Sequence, residues 1–153
     1  DYQSRTSVEL AKVLIKNFWK LNVEFEDAQN GFEEKITGTA AALIIGDRAL
    51  RQRKISAYRY DLAEAWKQFT GLPFVFAAWV SNKPLEEQFI KLFNDANAYG
   101  VNHISEVTAQ LDSELFDLNE YFRKHISYKM DDRKKIALKK FLSYLDYSIS
   151  VPA

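Results

Sequence analysis

The longest apolar run in the sequence is Phe74-Val75-Phe76-Ala77-Ala78-Trp79-Val80, seven residues without a charge. It falls well short of the roughly 18 residues that a membrane span needs. Its β-branched and aromatic content suits a strand buried on both faces of a parallel sheet. Ala40-Ala41-Ala42-Leu43-Ile44-Ile45 is a second such run and ends on Gly46. Asn22-Val23-Glu24-Phe25-Glu26 alternates polar and apolar residues, the pattern of a short half-exposed strand. Helical patterning fills the rest, so the fold class expected is α/β.

The helices read from spacing and caps. Val8, Ala11, Ile15 and Phe18 recur on one helical face, and Thr6-Ser7-Val8-Glu9 fits a capping box, which predicts a start near Thr6. Residues 28–39 read as a connection with room for one helical turn. Asp47 is placed to cap a helix running to about Lys54. Asp61 with Glu64 opens another, with Leu62, Trp66 and Phe69 on one face, and Gly71 then Pro73 close it. Pro84, Glu86 and Glu87 begin a helix to about Tyr99. Three more are expected over 101–111, 113–125 and 131–147. Two or three strands do not make a self-sufficient parallel sheet, so the pattern implies strands supplied from elsewhere.

At 153 residues the chain is long enough for one ordinary domain. A composition 47% hydrophobic and 27% charged excludes disorder and low complexity. The 21 basic and 21 acidic residues cancel, which gives no electrostatic reason to expect nucleic acid or an anionic membrane as partner. There is no cysteine, so disulfides, thiolate nucleophiles and Cys-ligated metals are excluded, in keeping with a cytoplasmic protein. The chain opens at Asp1 and carries no signal-peptide pattern.

Three segments have the residue types for ligand chemistry. Ser4-Arg5-Thr6-Ser7 offers three hydroxyls, a guanidinium and helix N-terminal amides, a combination that attracts a carboxylate. Plain capping by Thr6 and Ser7 explains the same residues. Gly46-Asp47 follows an expected strand, where ligands bind in open α/β sheets, but Asp47 also reads simply as an N-cap. Thr70-Gly71-Leu72-Pro73 joins a helix to an expected strand and fits a tight connection. Trp66, Phe74, Phe76 and Trp79 suit either a ring-binding pocket or a core. His103 and His125 lack metal-ligand spacing and read as surface or capping groups. Arg133, Lys134, Lys135, Lys139 and Lys140 read as the solvated face of an amphipathic helix. No catalytic triad or carboxylate pair is evident, so the catalytic residues are unknown from sequence.

Taken together, Ser4–Val8, Ala42–Leu50 and Tyr60–Trp79, with His125-Ile126-Ser127-Tyr128-Lys129-Met130 before a basic helix, resemble the chorismate dehydratase (MqnA) family of the futalosine route to menaquinone. The sister enzyme 1,4-dihydroxy-6-naphthoate synthase shares the Thr-Gly-Leu-Pro element. It typically has His-Glu where this chain has Gly46-Asp47, which favours the dehydratase. The resemblance covers nearly all of this chain and about the C-terminal two-thirds of a family member. It implies a periplasmic-binding-protein type II-like fold of two α/β lobes, with the N-terminal part of the first lobe missing. On that reading residues 1–80 form the second lobe and crossover, and 81–153 a helical part returning to the first lobe.

The activity implied is loss of water from chorismate to give 3-[(1-carboxyvinyl)oxy]benzoate, without metal or organic cofactor. The same fold also serves as a non-catalytic carboxylate-binding module, which is the rival expectation. Chorismate is the partner expected, with neither nucleic acid nor membrane; a homo-oligomer stays open. Ser4, Arg5, Thr6 and Ser7 are the expected carboxylate binders. Gly46, Asp47 and Thr70 are expected on the opposite side of the ligand.

Overall fold

The computed structural model describes residues 4–145. They form α1 (Arg5–Leu14), α2 (Gly46–Gln52), α3 (Leu62–Thr70), α4 (Glu87–Asn102), α5 (Ile104–Thr108), α6 (Leu118–Glu120) and α7 (Asp132–Tyr144). A π-helical turn, Ile15–Trp19, prolongs α1, another follows α6 at Tyr121–His125, and a 3-10 turn spans Phe32–Lys35. The chain divides into two compact units, residues 1–76 with 131–153, and residues 77–130.

The α/β expectation is overturned. Among the described residues there is no strand. Ala40–Ile45, Phe74–Val80 and Asn22–Glu26 are all irregular chain. A strand exists only through a neighbour about 4.7–4.9 Å away that takes up its amides and carbonyls. Within the described residues no segment supplies that neighbour, whatever the β-propensity of the side chains. Burial departs from expectation too: residues 40–42 and 76–80 are exposed, and Trp79 and Val80 are 83% and 89% accessible. The two-lobed periplasmic-binding-protein-like architecture is therefore not the fold of these residues, which are helices joined by irregular chain.

The first unit is organised around Trp66. Leu10, Val13 and Leu14 of α1, Ala65 and Trp66 of α3 and Phe141 of α7 form its buried core. The 3.6-residue period of α1 and α3 places these side chains on facing stripes. Trp66 is fully buried, and its ring meets Phe74 at 5.5 Å and Phe141 at 5.9 Å, both edge to face, the arrangement that ring quadrupoles favour. Its indole N–H donates to the Pro73 carbonyl at 3.1 Å, so the burial leaves no polar atom unpaired.

The helix ends show which caps the sequence disclosed. Asp61 caps α3 by accepting from the amides of Ala63 and Glu64, and Gly71 ends it in the left-handed region at φ 73°. Asp131 caps α7 through the Lys134 amide. Others shift. The predicted helix over 101–111 is broken at His103 and shortened to α5. The one predicted over 113–125 begins only at Leu118, with Asp117 as its cap. The end predicted for the last helix, at Tyr147, lies outside the described residues.

In the second unit α4 runs for 16 residues with none buried. Its sequence is amphipathic, with Phe89, Leu92, Phe93 and Ala96 set against Lys91, Asn94 and Asp95. Among the described residues no helix is long and apolar enough to cross a membrane.

Candidate functional site

The residues expected to bind substrate, Ser4–Ser7, Gly46, Asp47 and Thr70, all fall in the first unit. At the start of α1 the N-cap is Ser4, two residues earlier than the Thr6 box implied. Ser4 Oγ accepts from the Ser7 amide at 3.1 Å and donates to Ser7 Oγ at 2.9 Å. Ser7 is buried, and the Val8 amide reaches the Ser4 carbonyl at 3.4 Å. Glu9, the box's expected partner, instead meets Lys12 Nζ at 2.8 Å. Ser4 and Ser7 are thus committed to the helix terminus. Thr6 makes no side-chain hydrogen bond among the described residues, and Arg5 is exposed without an ion-pair partner among them. The hydroxyl of Thr6 and the guanidinium of Arg5 are therefore the groups here able to meet an anion.

Gly46 is the first residue of α2 and has φ 64°. That left-handed value explains the glycine, since a β-carbon is penalised there. The N-cap is Ile45, which makes no side-chain cap, so the expectation of Asp47 as cap is corrected. Asp47 sits in the first turn instead, where its charge complements the helix dipole.

Thr70 closes α3. Its hydroxyl donates to the Trp66 carbonyl at 2.8 Å and accepts from the Leu72 amide at 3.2 Å. A hydroxyl has one proton to give. Thr70 therefore has acceptor capacity left, but no donor for a carboxylate while it keeps the Trp66 bond. The Gly71 amide is likewise taken by the Lys67 carbonyl at 2.8 Å. The turn is fixed once more from a distance, by Arg133 Nη2 donating to the Gly71 carbonyl at 2.9 Å across 62 residues of sequence.

No hydrogen bond or ion pair joins the Ser4–Ser7, Gly46-Asp47 and Thr70 groups to one another among the described residues. Near the end of α3, Phe18 of the α1 extension lies with its ring 5.5 Å from Phe69. Ser7 is eleven residues before Phe18, about 16 Å along a helix at 1.5 Å per residue.

The other candidates resolve individually. Trp66 is core, Phe74 is half-buried against it, and Phe76 and Trp79 are exposed. His103 stacks on Tyr99 at 3.9 Å, and its Nδ1 meets the Tyr99 carbonyl at 2.7 Å, which requires the proton on Nδ1. His125 is exposed at the end of its π-helical turn. No group of His, Asp or Glu suited to a metal occurs among the described residues. A cavity of about 490 Å³ lies within the second unit, lined by Phe93, Ala96, Gly100, Ile104, Phe122 and Tyr128 among others. None of its lining residues is charged, so it lacks a counter-ion for a carboxylate. Burial, with repulsion from Tyr121, pushes the Tyr128 phenol above its ordinary value.

Comparison with known proteins supplies what geometry alone does not. The menaquinone biosynthesis family matches residues 1–147. The chain belongs to that family. A chorismate dehydratase of Campylobacter jejuni is 33% identical over 112 residues, covering 71% of this chain and 50% of that protein. A chorismate dehydratase of Thermus thermophilus is 25% identical over 166 residues, covering 94% of this chain and 60% of that protein. This member of the menaquinone biosynthesis family thus spans between half and two-thirds of the length of these relatives. The match extends through α7, so the basic terminal helix is part of the family pattern.

Proposed function

We propose that the protein carrying this chain is a chorismate dehydratase. The observation that carries the reading is that two relatives named chorismate dehydratase align with it, one over 94% of the chain, inside a menaquinone biosynthesis match covering residues 1–147.

The chemistry follows from the substrate. Chorismate has two carboxylates on a cyclohexadiene framework. Loss of the ring hydroxyl with a ring proton releases one water and leaves an aromatic ring, 3-[(1-carboxyvinyl)oxy]benzoate. Aromatisation supplies the driving force, so the protein has to hold both carboxylates, orient the ring and provide a route for one proton. With no protein base evident, the substrate's own enolpyruvyl carboxylate takes that proton.

Arg5 and the Thr6 hydroxyl bind a carboxylate at the start of α1, on a terminus that Ser4 and Ser7 hold in shape. Gly46, Asp47 and Thr70 contribute a second side. Asp47 is itself anionic and suits the departing hydroxyl better than a carboxylate; Thr70 offers an acceptor. The elimination needs no metal or organic cofactor.

Mass spectrometry of chorismate incubated with the whole protein tests this. Product lighter than chorismate by one water is expected. Chorismate recovered intact, from protein that nonetheless binds it, would assign the chain to a non-catalytic binding role.

A further inference from the structure

The backbone of the Thr70–Pro73 turn has its own internal ties, and among the described residues Arg133 adds a hydrogen bond from outside it. Lys67 takes the Gly71 amide, the Thr70 hydroxyl takes the Leu72 amide, and the Trp66 indole takes the Pro73 carbonyl. All three donors and acceptors belong to α3 and the turn itself. The Gly71 carbonyl, at the negative end of the α3 dipole, is met by Arg133 from the first turn of α7.

Arg133 is exposed; the neighbouring Asp131 carboxylate accepts from the Lys134 amide at 2.9 Å, and Asp132 is solvent-exposed, 4.0 Å from Lys135 Nζ. It has no ion-pair partner among the described residues. Of its five N–H donors, the Gly71 bond uses one.

We infer that Arg133 is a positioning residue, holding the Thr70–Pro73 turn in register for substrate. This rests on the proposed dehydratase reading, in which Thr70 faces the ligand. Without Arg133 the Gly71 carbonyl turns to water and the turn keeps only its local ties. An arginine that merely capped α3 would affect stability alone, so KM separates the two roles.

The test uses the whole protein with chorismate as substrate. Arg133→Ala is expected to raise KM about three- to tenfold, the range one hydrogen bond supplies, with kcat within about twofold of the parent. Arg133→Lys, which still places a donor near the Gly71 carbonyl, is expected to restore most of that loss. Ala137→Gly, a buried helix-interior change on α7 that keeps the Arg133 side chain, controls for stability. It is expected to lower Tm and leave KM alone. An unchanged KM in Arg133→Ala, a fall in kcat alone, or an equal KM rise in Ala137→Gly overturns the inference. A parent protein that turns over no chorismate sinks the dehydratase reading first, and the inference falls with it.

Discussion

The start of α1 separates two roles that the sequence alone leaves entangled, and a pair of single substitutions tests the separation. Ser4 caps the helix: its Oγ holds the Ser7 amide at 3.1 Å and the buried Ser7 hydroxyl at 2.9 Å. Ser4→Ala removes both bonds. The loss of an N-cap costs about 1 kcal/mol, within a range of about 0.5–2. For a chain of this size that lowers Tm by about 2–4 °C per kcal/mol. Thr6 has no side-chain hydrogen bond among the described residues, so Thr6→Val is expected to leave Tm within about 1 °C, as surface changes commonly do. If the Thr6 hydroxyl donates to a substrate carboxylate, the same substitution costs roughly 1.5–3 kcal/mol of binding, which is about tenfold or more in affinity. Differential scanning calorimetry and chorismate titration, run on both variants of the whole protein, read the two effects independently. The expected pattern is a lowered Tm for Ser4→Ala, and an unchanged Tm with weakened chorismate binding for Thr6→Val. If Thr6→Val binds chorismate like the parent, this terminus is a capped helix only and the carboxylate assignment is wrong.

Two other expectations concern the units themselves. Trp66→Ala empties the fully buried centre of the first unit and frees the Pro73 carbonyl, so it should cost about 3–5 kcal/mol, a large share of the roughly 5–15 kcal/mol that holds a domain; urea unfolding would show it, and a loss under 1 kcal/mol would contradict a Trp66-centred core. Because the folded state keeps Tyr128 protonated to higher pH than the unfolded chain does, stability in the second unit should be intact below about pH 10 and decline as pH rises beyond it. Tyr128 is about half exposed, so Tyr128→Phe should lessen that decline only slightly, and a steeper alkaline decline in the variant would contradict the raised phenol.

What the sequence disclosed was local. Asp61 and Gly71 bracket α3, and Asp131 starts α7, because a capping carboxylate or a left-handed glycine acts within a few residues of itself. The α1 cap lies two residues before the Thr6 that the spacing indicates, because Ser4, Thr6 and Ser7 are chemically equivalent caps until geometry chooses among them. Ala40–Ile45 and Phe74–Val80 have strand composition, but strand formation depends on a partner whose presence a side-chain pattern does not report. The Arg133–Gly71 bond left no trace in sequence either, since nothing in a basic stripe marks which cation reaches a carbonyl 62 residues away. The family resemblance, by contrast, was legible, because Ser4–Val8, Ala42–Leu50 and Tyr60–Trp79 carry it as ordered motifs, and the menaquinone biosynthesis match spans all three.

The central claim is that the protein carrying this chain removes water from chorismate. Proton NMR of chorismate during incubation with the whole protein tests it most directly, because the ring protons of substrate and product differ in kind. The account predicts that the cyclohexadiene signals decay while those of a meta-substituted benzoate grow in equal amount, with the enolpyruvyl methylene protons retained. Persistence of the cyclohexadiene signals at the rate of a protein-free control would contradict it, as would an aromatic product that has lost the enolpyruvyl group.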